Sequence, residues 1–326
     1  MRDKHILITG GAGFIGTQLT KRLIEENRIT ILDTLERNAL AESGFLRHPN
    51  LTLMEGDVRN PAMVREALHR ATHVVHLASI AGVDRVMETP LLTMEVCIKG
   101  TFNMLEAALD TPSIERFVHF STSEVFGKYA YRVSEVDPTS LGSVGEARWT
   151  YAVSKLATEH LCYVMHRQQG LPTVTVRPFN IFGPGQVGAG AIHRFVVRAI
   201  ENRPLEIHNE GEQIRAWCYI DDLVDGLLLT LSSPNAVGHT FNIGNPKTAI
   251  TVHHLARTIV EIAGSQSEIR NVPWPHEDVE LRVPDITSAR ERLGFEPRFD
   301  LHAGLARTID WYRSRANRSF PSPAGL

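Results

Sequence analysis

The chain has 326 residues, 43% of them hydrophobic, with a formal net charge of −3. That is enough apolar material for a large core and two lobes, and the near-neutral charge predicts neither a nucleic-acid nor a membrane-surface partner. Cys97, Cys162 and Cys218 lack metal-ligand spacing, no apolar run reaches the roughly 18 residues of a membrane span, and the N-terminus runs straight into a strand, so the expected class is a cytoplasmic enzyme with reduced thiols and no bound metal.

The first predicted elements are the most informative. Residues 4–16 read Lys-His-Ile-Leu-Ile-Thr-Gly-Gly-Ala-Gly-Phe-Ile-Gly. An apolar strand ends in a glycine turn, and an amphipathic helix starts at once. Gly10, Gly13 and Gly16 leave no Cβ where the chain turns, where a phosphate must approach, and where helix meets strand. The N–H groups at the helix start, around Phe14 and Ile15, and the positive end of the helix dipole suit a pyrophosphate. A second apolar strand ends at Asp33, where an acid can hydrogen-bond the adenosine ribose of a dinucleotide. A glycine turn without a ligand is the plainer alternative, and this context argues against it.

Further along, apolar runs at 51–55, 73–77, 116–121 and 173–177 alternate with helical patterns. Such alternation predicts an α/β fold, a Rossmann-like doubly wound and mainly parallel sheet with helices on both faces. Asp57-Val58 after the third strand and Leu77-Ala78 after the fourth then fall on the sheet edge where ligands bind, as cofactor contacts or as ordinary loop residues. Helices are expected at 100–109 and 150–169. Both carry more apolar residues than one buried face needs, which predicts a homodimer contact or, alternatively, deep packing within one chain.

Beyond residue 177 the alternation loosens. A turn-rich loop at 183–190 has the composition of a segment that closes over a ligand. Shorter helices follow near 191–201, 219–232, 251–264, 286–293 and 300–315, with one returning strand at 239–243. The expected division is a dinucleotide-binding domain at 1–177, re-joined by a segment near 239–245, and a smaller α/β substrate lobe at 178–326. The Pro- and Ser-containing tail 319–326 reads as frayed.

Tyr151 and Lys155 fall one turn apart on one helix face. A free tyrosine hydroxyl, with a pKa near 10, is a poor base at neutral pH, but a neighbouring ammonium and an oxidised nicotinamide both favour the phenolate. A lone Tyr-x-x-x-Lys is common on surface helices. Downstream of a dinucleotide loop, with Ser121-Thr122-Ser123-Glu124 at a strand end, it forms a proton-transfer set.

TGGAGFIG, Asp33, HLAS, STSEVFG, YAVSK, RPFNIFGPG and the segment from Arg215 to Asp222 together resemble an extended short-chain dehydrogenase/reductase, of the nucleotide-sugar epimerase, dehydratase and decarboxylase group. The resemblance runs nearly the full length. It implies tightly held NAD, a catalytic set of Thr122, Tyr151 and Lys155, and a nucleoside-diphosphate sugar, expected to be a UDP-sugar, in the C-terminal lobe. It also implies that Asn180 and Arg215 touch the sugar diphosphate.

Thr122-Ser123-Glu124 is similar to the UDP-glucuronate decarboxylases of this group, whereas dehydratases carry Asp-Glu after the threonine. Arg148-Trp149 before the tyrosine, and Arg282 in Glu280-Leu-Arg-Val-Pro284, resemble the same branch. By that resemblance Ser123, Glu124 and Arg282 would assist loss of the substrate carboxylate. A 4-epimerase, a 4,6-dehydratase and a catalytically inactive NAD(H)-sensing protein are the other readings. Gly185-Gln186 after Gly183-Pro184 departs from the decarboxylases, which carry an arginine there, and Cys97 and the Trp217-Cys218 pair depart from the pattern of the wider group.

Overall fold

The computed structural model describes residues 1–188 and 190–316, so the 319–326 tail lies outside the described residues. Strands β1 (His5–Thr9), β2 (Arg28–Asp33), β3 (Leu51–Glu55), β4 (His73–His76), β5 (Arg116–Phe120), β6 (Thr173–Pro178) and β7 (Thr240–Ile243) form one sheet. Their order is β3-β2-β1-β4-β5-β6-β7, and every pairing is parallel. The cause is visible in β1. Ile6 and Ile8 feed one hydrophobic cluster, while Leu7, facing the other way, feeds the second. Both faces are thus covered by helices, and strands such as β4 and β5 are buried throughout. Strand order reverses between β1 and β4, which opens a crevice at the strand C-termini.

Beyond β6, only one strand was expected from sequence, and here the expectation fails. Apart from β7, the structure adds Ile181–Phe182, Leu205–His208, Ile214–Arg215, Cys218–Tyr219, Ile250–Thr251, Ile269–Val272 and Leu281–Pro284. These strands are two to four residues long, too short to print a period-two pattern. One small sheet among them bears on the site. In it Ile250–Thr251, Ile214–Arg215, Leu281–Pro284 and Tyr129–Val133 lie side by side in that order. Its register sets Arg215 beside Arg282, and Arg282 beside Ala130.

The helices Gly100–Leu109 and Thr150–Gln169 pack against each other. The longer one stops at Gly170, whose φ of +72° is the left-handed cap that glycine adopts without strain. Phe102, Leu109, Val153, Tyr163 and Val164 on this pair stay exposed. Among the described residues no helix is long and apolar enough to cross a membrane.

Candidate active site

The crevice above β1 and β4 opens into a cavity of about 640 Å³. Its floor is the glycine turn. At Gly10, with φ +66°, an added Cβ would sit 2.7 Å from the Ala78 nitrogen, and at Gly16 one would sit 2.4 Å from the Gly11 Cα. Those two positions have no room for a side chain. Gly13 differs, because only the Gly10 carbonyl oxygen, at 3.3 Å, lies near its missing Cβ, and it faces the cavity. The turn is therefore a cradle open toward the helix Phe14–Leu23.

Asp33 closes one end of this cradle. Its carboxylate accepts the N–H groups of Ala12 at 2.9 Å and Leu35 at 2.8 Å. Burial raises its pKa, and those two N–H groups offset part of the rise. Asp57 accepts the Arg59 guanidinium at 2.7 Å, and Arg59 in turn reaches Glu95. Burial opposes the charge of Asp57, but the Arg59 hydrogen bonds outweigh it and its pKa is lowered. Val58, Leu77 and Ala78 line the same cavity with Phe14 and Ile15. All the residues expected to touch a dinucleotide thus face one volume, apart from Lys155, which lies beneath it.

At the other end stands Tyr151. Burial, with the nearby Cys97 and Glu124, raises the pKa of its hydroxyl, and the neighbouring Ser79 and Thr122 side chains offset part of the rise. Lys155 is buried, its ammonium donates to the Phe120 carbonyl at 2.7 Å, and it stands 5.9 Å from the Tyr151 ring centre. Burial lowers the lysine pKa, and the acidic groups of Cys97, Cys162 and Glu159 work against that. Glu159, one turn on, is clamped by Arg177 at 2.7 Å and by the Ser121 hydroxyl. The helix carrying Tyr151 and Lys155 is so pinned to the C-terminal ends of β5 and β6.

Thr122 caps the turn Ser123–Phe126, accepting the Glu124 N–H at 3.2 Å. Ser123 is buried too and lines the same cavity. The Glu124 carboxylate accepts from Arg148 at 2.6 Å, and Arg282 lies 3.7 Å from its second oxygen. Burial would raise the Glu124 pKa, yet Arg148 and Arg282 together hold it below the usual carboxylate range. Arg282 is 5% exposed, and its Nε and Nη2 have no partner in the protein. Burial pulls its pKa down to about 9.

Asn180 has a left-handed backbone, with φ +42°, and its amide donates to the Ala216 carbonyl at 2.8 Å. It lines the larger cavity, whereas Arg215 lines a smaller neighbour of about 210 Å³. There Arg215 meets Asp278 at 3.3 Å and Arg194 meets Asp84 at 2.7 Å, beside a stacked His208–Trp274 pair with ring centres 4.1 Å apart. Sequence reasoning missed Ser79 as a partner of Tyr151 and Arg148 as the partner of Glu124. Each belongs to a motif visible in the sequence, HLAS and Arg148-Trp149, but neither partnership leaves a spacing signal. Among the described residues no group of three or more His, Cys, Asp or Glu could hold a metal.

Comparison with known proteins fits this geometry. The NAD dependent epimerase/dehydratase family matches residues 6–244. The chain is 33% identical to UDP-N-acetyl-alpha-D-glucosaminuronate decarboxylase of Bacillus cytotoxicus, over 96% of this chain and 99% of that one. It is also 33% identical to UDP-glucuronic acid decarboxylase 1 of Xenopus tropicalis, over 98% of this chain and 76% of that one. Among solved structures, the UDP-glucuronic acid 4-epimerase from Bacillus cereus in complex with UDP-glucuronic acid and NAD is 28% identical, with a TM-score of 0.86, over 95% of this chain and 99% of that one.

Proposed function

The chain belongs to the NAD dependent epimerase/dehydratase family, and we propose that within it the protein oxidises a UDP-linked uronic acid, UDP-glucuronate first, at C4 and then decarboxylates it. The observation that carries the reading is Arg282. A buried guanidinium with two unpaired donors is costly unless a ligand completes it, and a planar carboxylate suits that fork.

In this reading residues 1–177 hold the cofactor and 178–326 supply most of the substrate lobe. Gly13 and the helix start receive the pyrophosphate, and the free lone pairs of Asp33 receive the ribose hydroxyls. Bound NAD supplies the oxidation of C4 and, when the cycle returns, its reduction. Tyr151 takes the C4 hydroxyl proton, with Thr122 and Ser79 fixing its oxygen and Lys155 holding positive charge below. The product of that step is a ketone β to the C5 carboxylate. When carbon dioxide leaves, the electron pair flows into the C4 carbonyl, the enolate oxygen meets the hydroxyls of Tyr151 and Thr122, and C5 then takes a proton from solvent as the C4 ketone re-forms. Arg282 orients the departing carboxylate, with Ser123 and Glu124 beside it on the cavity wall. In the smaller cavity Arg215 takes the diphosphate, with the His208–Trp274 stack as a flat wall for the base, while Asn180 faces the sugar.

Epimerisation at C4 is the second reading, and one observation favours it. Glu124 is held ionised by two arginines, so it is not a neutral acid standing ready to protonate C5. The protein is further read as a homodimer in the cytoplasm, supported by the exposed apolar residues of the paired helices and by three buried, free cysteines. The deciding experiment uses UDP-glucuronate with a labelled carboxyl carbon. Label released as carbon dioxide with a UDP-pentose product supports decarboxylation. Label retained with an inverted C4 refutes it in favour of epimerisation.

A further inference from the structure

Arg148 sits in the turn Ala147–Trp149, immediately before the helix that carries Tyr151. It is buried, and it lines the larger cavity with Glu124 and Arg282. Near the junction of the two cavities stand three buried guanidiniums, Arg148, Arg215 and Arg282, and two carboxylates, Glu124 and Asp278. One positive charge is in excess.

The way the charges are shared locates that excess. Asp278 is engaged by Arg215. Glu124 is engaged by Arg148 at 2.6 Å, a hydrogen-bonded ion pair. Arg282 stands 3.7 Å from the other Glu124 oxygen, beyond hydrogen-bond reach, with Nε and Nη2 unpaired. Arg148 also keeps one unpaired nitrogen, Nε, but its guanidinium is hydrogen-bonded to Glu124, whereas the Arg282 side chain donates no hydrogen bond. The free charge is therefore on Arg282, and it is free because Arg148 has satisfied its competitor.

We propose that Arg148 is a positioning residue for the substrate carboxylate: by neutralising Glu124 it leaves the Arg282 fork open to receive a uronic-acid sugar. This rests on the uronic-acid reading of the site and deepens it. Without Arg148, Glu124 would be a buried carboxylate lacking its hydrogen-bonded partner, a state costly enough to draw Arg282 onto it. The fork would then close on the protein's own carboxylate. Glu124 acts here as a fixed negative post between two arginines. The 5.2 Å stack of Arg148 on Trp149 keeps its guanidinium in place.

The test measures binding of UDP-glucuronate and UDP-glucose to the NAD-loaded protein by calorimetry, all on a Tyr151→Phe background that holds back turnover, for the otherwise wild-type protein, Arg148→Gln and the double variant Glu124→Gln/Arg148→Gln. Arg148→Gln should lose about tenfold or more of the preference for UDP-glucuronate, as expected for one charge-assisted contact, while UDP-glucose affinity stays within about threefold. The double variant removes both the competitor and its partner, so the preference should return. Retained preference in Arg148→Gln, equal loss for both sugars, or no recovery in the double variant overturns the proposal. Should the single variant not fold, the double variant carries no orphaned carboxylate and still decides. If it lacks the preference, Arg148 contacts the sugar itself and the proposal fails. An otherwise wild-type protein that does not prefer UDP-glucuronate refutes the functional reading itself and this inference with it.

Discussion

Two glycines three residues apart should give opposite phenotypes when changed to alanine. At Gly16 the new Cβ would lie 2.4, 2.6 and 2.8 Å from the Cα, O and C atoms of Gly11, all backbone that cannot swing aside. Overpacking of that kind costs about 1–3 kcal/mol. At roughly 2–4 °C per kcal/mol the melting temperature should fall by about 2–12 °C. At Gly13 the backbone, with φ −71° and ψ 178°, is extended and accepts any residue, and the nearest atom lies 3.3 Å away. Its alanine variant should keep its stability within about 1 kcal/mol. It should instead lose the cofactor, because the methyl group projects into the cavity where a pyrophosphate would pack. The assay is thermal melting with and without NAD. Wild type at about 100 times its Kd gains some 2.7 kcal/mol, and Gly13→Ala should gain close to nothing. If Gly13→Ala melts early yet responds fully to NAD, the assignment of the cradle is wrong.

Other perturbations probe the chemistry, the cofactor, the acid lability and the assembly. Tyr151→Phe should lose about 10²–10⁴-fold in turnover while keeping its fold and cofactor content, as read by initial rates and melting; near-normal rates would mean another group moves the C4 proton. The cofactor released by denaturation should be NAD(H), since the Asp33 carboxylate repels a 2′-phosphate, and recovery of mainly NADP(H) would contradict that. His76 is buried between Thr9, at 2.6 Å, and Thr101, at 3.0 Å, and burial, with some help from Lys155, holds its pKa at about 3 rather than 6.5. Below pH 6.5 the unfolded chain binds a proton that the folded one refuses, so stability should fall as the pH drops from 6.5 toward 3. His76→Gln should flatten that slope in melting curves, and an unchanged slope would place the acid lability elsewhere. Sedimentation should give a dimer for wild type and a monomer for Phe102→Ser/Tyr163→Asp; a monomeric wild type removes the helix-pair interface.

The sheet was legible because its strands are apolar runs bounded by turns, the central ones buried throughout, with helices long enough to print their own period. Asp33, Tyr151 and Lys155 were legible because one strand end and one helical turn are local geometry. Arg148 with Glu124 was not, since that pair joins two turns through side chains alone. The small sheet was hidden for another reason. Ile214–Arg215 and Leu281–Pro284 are too short to alternate, and their pairing depends on partners distant in sequence. The Lys155–Phe120 contact was invisible for the same cause, being a side chain reaching across to a backbone carbonyl.

That small sheet also carries a temporal consequence. Arg282 takes its place only when Leu281–Pro284 has met both Ile214–Arg215 and Tyr129–Val133, with its register neighbour Ala130 far back in the chain. Closing loops of such length is entropically slow compared with forming a helix or pairing neighbouring strands. A nascent chain can thus assemble much of its large parallel sheet while Arg282, the proposed carboxylate-binding residue, is still unplaced. In refolding, cofactor binding should return first and turnover later, so the molecule learns to hold its reagent before it can use it.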